Sequence, residues 1–181
     1  MILFGDILEF IIECIWFMVP SYVSVIVPVF VRKINFLNFP LNEKLFGKNK
    51  TYRGFFVGIL FSILVAYFQY KLYINNFLIR AISIIFYDRI NIFLFGFLMG
   101  FGSLFGDLIK SFFKRRLKIK EGKDWIPFDN LDYVIGSLFF VLIVFHTNFI
   151  NFNLYYFFGI VFLSGLLHYF MVKIAYKLKI R

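Results

Sequence analysis

The stretch Phe101–Gly136 reads FGSLFGDLIKSFFKRRLKIKEGKDWIPFDNLDYVIG, and its reading decides the fold. It starts inside an apolar run, acquires Asp107 and then seven basic residues from Lys110 to Lys123, passes Trp125 and Pro127, and reaches Asp129 and Asp132 before turning apolar again. Packing alone does not account for that mixture. Two apolar spans joined by a charged loop do, because a bilayer core takes ~20 apolar residues per helix.

Outward from this stretch the pattern repeats. Five segments reach crossing length: Ile7–Val31, Gly54–Tyr73, Ile90–Phe113, Phe128–Thr147 and Leu154–Ala175. The hydrophobic share is 61%, against roughly 45–50% in soluble domains, and the mean hydropathy is +0.83. The expectation is an all-α polytopic membrane protein, one integral domain over residues 1–181 with five transmembrane helices. Asn75–Tyr87 is apolar but short and holds Arg80, so it reads as an interfacial segment, since a sixth span would bury that cation. The first apolar stretch follows no basic region, is long and lacks a small-residue cleavage site, which disfavours a cleaved signal peptide.

The formal net charge is +10, but the basic residues flank apolar spans instead of forming a soluble basic domain. That argues against nucleic acid and for anionic lipid, nucleotide phosphate and topology signalling. Seventeen of the twenty Lys and Arg residues lie in 32–53, 110–123 and the C-terminal tail, while Lys71, Arg80 and Arg89 fall in the second connection. Cytoplasmic loops collect such residues. The division implies an N-terminus outside, a cytoplasmic C-terminus and a multi-pass cell-membrane protein whose charged loops face the cytoplasm. Cys14, the one cysteine, excludes an intrachain disulfide and reads as a buried structural thiol.

Asp107, Lys110, Ser111 and Lys114 follow at i, i+3, i+4 and i+7, one helical face near a membrane boundary. A helix end with snorkelling lysines paired to the acid explains most of it. Asp107 itself, an ionisable acid near membrane depth, is a functional candidate. Gly100, Gly102 and Gly106 permit close helix contact, as small residues do in membrane helices generally. Asp129 and Asp132 share a face of the next helix if that helix begins near Pro127, a residue tolerated at the first helical position. Helix capping by Asp129 is the plain alternative. Three carboxylates beside a basic cluster on one side, however, are what a Mg²⁺-dependent phosphate site requires, with Asp107, Asp129 and Asp132 as metal ligands.

The first basic loop adds FGKNKTYRG, Phe46–Gly54, where Lys48, Asn49, Lys50, Thr51 and Arg53 form a donor-rich turn between two glycines. It is not a P-loop, because the G-x-x-x-x-G-K-[ST] order is absent. Glu9 and Glu13, at i, i+4 in the first span, carry a weaker functional expectation. His146 and His168 lack ligand spacing, and Ser111 lacks the partners of a nucleophile. Pro20 and Pro28 are expected to bend the first helix and widen a groove for lipid.

These motifs resemble a known family, the archaeal CDP-archaeol synthases, related to the CDP-diacylglycerol synthases. GDLIKSFFKRR, Gly106–Arg116, followed by Gly122, Trp125 and PFDNLDYVIG, is similar to the family's G-D-x-x-x-S-x-x-K-R and D-x-x-D signature. KTYRG, Lys50–Gly54, is similar to its first-loop K-T-x-x-G, and Pro20, Ser21, Tyr22 and Pro28 to its first-helix pattern. The sequence departs from the family at Asn130, where Gln is frequent, and at Val25, where Asn is frequent. The second departure leaves Val25 outside the expected site.

The resemblance implies transfer of CMP from CTP to the phosphate of an unsaturated archaeal ether lipid, 2,3-di-O-geranylgeranylglycerol 1-phosphate, with release of pyrophosphate. It implies Mg²⁺ on Asp107, Asp129 and Asp132, and charge neutralisation by Lys114 and Arg115. Lys50, Thr51, Arg53, Ser111 and Asn130 are the implied contacts to nucleotide or lipid headgroup. Both reactants are anions and the lipid phosphate is already a nucleophile, so positioning and charge stabilisation suffice as the chemistry. Other readings are a Mg²⁺-dependent prenyltransferase, a CDP-alcohol phosphotransferase, whose array beginning D-G-x-x-A-R is missing, and a small transporter or anionic-lipid-binding scaffold.

Overall fold

The structure, a computed structural model, describes residues 2–33, 36–120, 123, 125–126, 128–149 and 152–177, without the side chains of 2–4, 33, 171–172 and 174–177. The expected first helical position, Pro127, the motif's Gly122 and the tail cations Lys179 and Arg181 lie outside the described residues. The described chain is helical, with no strand among the described residues: α1 (Ile2–Phe30), α2 (Glu43–Phe46), α3 (Tyr52–Asn75), α4 (Phe77–Ala81), α5 (Ile92–Arg116), α6 (Phe128–Phe145) and α7 (Leu154–Lys177).

Four helical stretches are long and apolar enough to cross a membrane: Gly5–Phe30, Tyr52–Asn75, Ile92–Arg116 and Phe128–Asn148. The fifth expected span falls on α7, whose described apolar part, Leu154–Phe170, is shorter. Asn75–Tyr87 does not form a span. It folds as the five-residue α4 and a turn. There Arg80 donates to the Tyr73 and Ile74 carbonyls, 3.4 and 3.1 Å away at the end of α3, and lies over the Tyr73 ring. A cation on the unpaired carbonyls of a helix end is favourable on both hydrogen-bonding and dipole grounds.

Asparagine and threonine start the helices. Asn91 accepts from Phe93 and Leu94 at 3.1 Å, Asn153 from Tyr155 and Tyr156, and Thr51 from Gly54 at 3.2 Å. Each such cap is worth ~1 kcal/mol.

Of the five long helices, α5 is central and touches α1, α3 and α6, while α7 lies against α1 and α6. Phe17, Phe95, Met99, Val134, Leu138, Val141 and Ile160 form the centre of the core. Large apolar side chains such as Phe56, Phe68, Phe93, Phe139, Phe158 and Phe162 point outward instead, as helices bathed in acyl chains require. Lipid tails are as apolar as these side chains, so helix association in a bilayer relies on close packing and hydrogen bonds.

Both are present. Ser21 bonds Ser137 at 2.5 Å, Ser24 bonds Ser103, and Tyr22 bonds Ser164 at 2.7 Å, which joins α1 to α6, α5 and α7 in turn. Interhelical bonds of this kind average ~0.6 kcal/mol each. α5 and α6 approach so closely that a side chain at Gly102 would come 2.6 Å from the Gly136 carbonyl oxygen. One at Gly106 would run into the carbonyl oxygen of Asp132.

Candidate functional site

The first basic loop is built as a clasp. Leu41 N–H donates to the Lys50 carbonyl at 2.7 Å and Tyr52 N–H to the Phe39 carbonyl at 3.0 Å, so residues 39–41 run antiparallel to 50–52. Between them α2 is capped by Asn42 and ended by Gly47 at φ 90°, a left-handed conformation glycine adopts without steric cost. The clasp brings Lys48, Asn49, Lys50 and Thr51 to the mouth of a cavity of about 610 Å³. Arg53 and Phe55 of α3, Val25, Pro28 and Val29 of α1, and Leu104, Asp107 and Leu108 of α5 complete its walls, with Arg32 and Asn38 beside the loop. The lining mixes cationic and hydrogen-bonding groups with apolar side chains, and it holds a second acid besides Asp107, Glu43, which pairs with Lys48 at 3.4 Å.

Asp107 stands on the boundary between this cavity and a second set of charges. Its Oδ2 takes an ion pair from Lys50 across the cavity, and its Oδ1 lies 2.9 Å from Lys110 Nζ. Lys110 Nζ also lies 2.8 Å from Asp132 Oδ2 and 3.3 Å from Asp129 Oδ1. Lys114 Nζ lies 3.1 Å from both oxygens of Asp129 and donates to the Lys123 carbonyl at 2.5 Å. Asp129 in turn accepts from the Trp125 backbone at 2.5 Å. It therefore ties the preceding loop to α6 as well as pairing with α5.

Three carboxylates and three lysines thus alternate across α5, α6 and the first loop. Their side chains are only 7% to 26% exposed. A buried charge is tolerated when paired and hydrogen-bonded, and strongly destabilising when its partner is removed. The α5–α6 glycine contact makes the set possible: Gly106, next to Asp107, lets the backbone of Asp132 come within van der Waals range.

The expected residues divide accordingly. Lys50, Thr51, Arg53 and Asp107 line the cavity, and Asp129, Asp132 and Lys114 meet Asp107 through Lys110. Thr51 spends its oxygen on the α3 cap and keeps its O–H to donate. Ser111 is turned back on its own helix, donating to the Asp107 carbonyl at 2.7 Å. Ser111, Asn130 and Arg115 are not among the cavity-lining residues. Lys110 was legible only as a snorkelling neighbour of Asp107, and Arg32 only as a topology signal. Val25, set aside at the sequence level, belongs to the cavity lining.

The donor set is all oxygen and anionic, which suits Mg²⁺. Among the described residues, however, no three acidic, His or Cys side chains are arranged to hold an ion directly. The point the three acids share is the Lys110 ammonium.

Fold and site together define a class: a small helical membrane protein with a charged, half-apolar cavity at one end of its helix bundle. The family model described as CarS-like, CDP-archaeol synthase, matches residues 7–181. A CDP-archaeol synthase of Methanococcus maripaludis is 31% identical over 180 residues, 97% of each chain. One of Methanocaldococcus jannaschii is 35% identical over 139 residues, covering 72% of this chain and 75% of the other. One of Methanococcoides burtonii is 37% identical over 100 residues, 54% of this chain and 57% of that protein's length. No solved structure matches. The chain belongs to the CDP-archaeol synthase family.

Proposed function

We propose that this protein transfers CMP from CTP to the phosphate of an unsaturated archaeal ether lipid, forming CDP-archaeol and pyrophosphate for membrane phospholipid synthesis. The observation that carries the reading is the cavity, whose lining combines the cations Arg32, Lys48, Lys50 and Arg53 with apolar side chains and reaches Asp107. Family membership supports the same reaction. It favours this reaction over a transporter, a scaffold or a prenyltransferase.

In this reaction a lipid phosphate oxygen attacks the α-phosphorus of CTP. The bond from that phosphorus to the α,β-bridging oxygen breaks, and pyrophosphate leaves with the electron pair. The nucleophile is already an anion, so no side chain has to remove a proton. The protein's work is to bring anions together and hold them in line. Lys50, Arg53, Arg32 and Lys48 supply cationic N–H donors, and Thr51 an O–H. Charge-assisted bonds to phosphate are the stronger kind. Val25, Pro28, Val29, Leu104 and Leu108 offer the surface along which the lipid's glycerol ether stem lies.

Asp107, Asp129 and Asp132 are the residues that would hold Mg²⁺. The ion, when bound with the nucleotide, offsets phosphate charge in the transition state. Lys114, which pairs with Asp129, and its neighbour in sequence Arg115 would offset the charge of departing pyrophosphate. Ser111, which donates to the Asp107 carbonyl, and Asn130 would contact the nucleotide or headgroup beside the acids.

The reaction is tested with purified protein, labelled CTP, the lipid phosphate and Mg²⁺. CDP-lipid is expected, with CTP preferred over ATP, and absence of product overturns the reading.

The same proposal includes five crossings, an N-terminus outside and a C-terminus and cavity facing the cytoplasm. In support, α7 runs beside α1 in the same direction, with Tyr156 at Glu13 and Ser164 at Tyr22. The lone cysteine is buried, so introduced cysteines report cleanly. In intact cells an impermeant maleimide should label Asn75→Cys and reach Lys44→Cys only after permeabilisation. The reverse result inverts the topology.

A further inference from the structure

We propose that Lys110 is a built-in stand-in cation: its ammonium occupies the point where Asp107, Asp129 and Asp132 meet, keeps a free metal ion out, and yields only to a metal that arrives with the nucleotide. The proposal rests on the reading that these acids hold the metal of a CTP-dependent transfer.

The geometry points to this role because the ammonium lies among all three carboxylates. A lysine has three N–H donors, and Lys110 Nζ meets one carboxylate from each of three residues at 2.9, 3.3 and 2.8 Å. While it sits there its charge is offset by these acids and not by a phosphate. Its side chain is 15% exposed, so the ammonium is held inside the charge set and does not trail from the surface. Lys50 and Lys114 flank the same acids, and the three carboxylates and three lysines sum to zero formal charge.

Two consequences follow from elementary electrostatics. A bare divalent ion entering the centre meets an ammonium already there and turns a neutral cluster into one of charge +2, so nucleotide-free metal binding is weak. A metal brought by CTP arrives with four negative charges, which neutralise the excess and give the displaced Lys110 ammonium a phosphate to face. Metal and nucleotide then bind as a coupled pair, each raising the affinity of the other by the same factor. The acids are also kept folded, and from repelling one another, while no substrate is present.

The experiment measures Mn²⁺ binding by electron paramagnetic resonance of the free ion, on detergent-purified full-length protein without lipid acceptor so that no turnover occurs. Wild type, Lys110→Met and Lys110→Arg are each titrated with Mn²⁺ alone and with Mn²⁺ plus CTP. Lys110→Met, which keeps the side-chain length and loses the charge, is expected to bind Mn²⁺ alone at least about tenfold more tightly than wild type. Its coupling to CTP should shrink, and Lys110→Arg should stay as weak as wild type without nucleotide. Equal or weaker binding of Mn²⁺ alone by Lys110→Met overturns the proposal.

Asp107→Asn and Asp132→Asn separate this failure from failure of the metal-site reading. If they leave Mn²⁺–CTP binding unchanged, the acids are not the metal site and both readings fall. If they abolish it while Lys110→Met gains nothing, only the role of Lys110 falls. Should Lys110→Met not run as a single species in gel filtration, wild type still decides, because Mn²⁺ binding to the protein that is equally tight with and without CTP, after subtraction of a protein-free Mn²⁺–CTP control, overturns the proposal.

Discussion

The two ends of α1 face two cavities, each provided with carboxylates, and the two are built on different terms. At the end next to α2, the cavity of about 610 Å³ meets Asp107, and every acid of its charge set faces a lysine. At the other end, Asp6, Glu9 and Glu13 line a smaller cavity of about 360 Å³ with Tyr155 and Tyr156. There the Tyr156 hydroxyl donates to Glu13 at 2.8 Å, and among the described residues no cation lies within ion-pair distance of Glu13. Acids alone therefore do not distinguish a phosphate site. On the proposed function, interleaved lysines and adjoining apolar side chains do, because unpaired acids repel an anionic substrate whereas lysines offset that repulsion.

The strongest way to break this comparison is to treat both ends alike. Asp132→Asn should lower cytidylyl transfer by about 100-fold or more, the scale of losing one electrostatic group in a preorganised site, in a steady-state assay with labelled CTP. An effect under tenfold in a folded variant would remove Asp132 from the chemistry. Lys50→Ala removes a cation from the cavity wall and should raise the KM for CTP by roughly tenfold or more, the worth of a charged hydrogen bond at ~1.5–3 kcal/mol. An unchanged KM would place the triphosphate elsewhere.

Gly106→Ala tests the link between packing and site. It should destabilise the protein by ~1–3 kcal/mol through overpacking against α6, measured as a fall in Tm in detergent. Activity should fall with it, because Asp107 and Asp132 are pushed apart. The smallest effect belongs to the far end. Glu13→Gln should change turnover by no more than about twofold, as substitutions away from special features do, and a large loss would make that cavity functional too.

Much of the charged end was legible from local pattern. Asp107, Lys110, Ser111 and Lys114 fall on one face because a helix repeats every 3.6 residues, and Asp129 and Asp132 are related likewise. Gly47 and Gly54 marked the first-loop turn, but α3 begins earlier than the expected Gly54, at Tyr52, with Thr51 as its cap. What stayed hidden depends on helix crossings. Spacing along α5 does not say that Lys110 reaches past Asp107 to two acids of α6, or that Lys114 meets Asp129 and the Lys123 carbonyl. Nor does it say that Ser111 turns back on its own helix, or that Arg32 and Val25 come to line one cavity with Lys50.

By itself the sequence determined the class of molecule, four of its crossing-length helices, the loops that carry the charge and the family to which the chain belongs. These follow from hydropathy, periodicity and motif, which are properties of neighbours along the chain. Only the tertiary structure decided which acid meets which lysine. That depends on how closely α5 and α6 approach at Gly102, Gly106 and Gly136, a distance between residues up to thirty or so positions apart in sequence, set by packing and not by spacing.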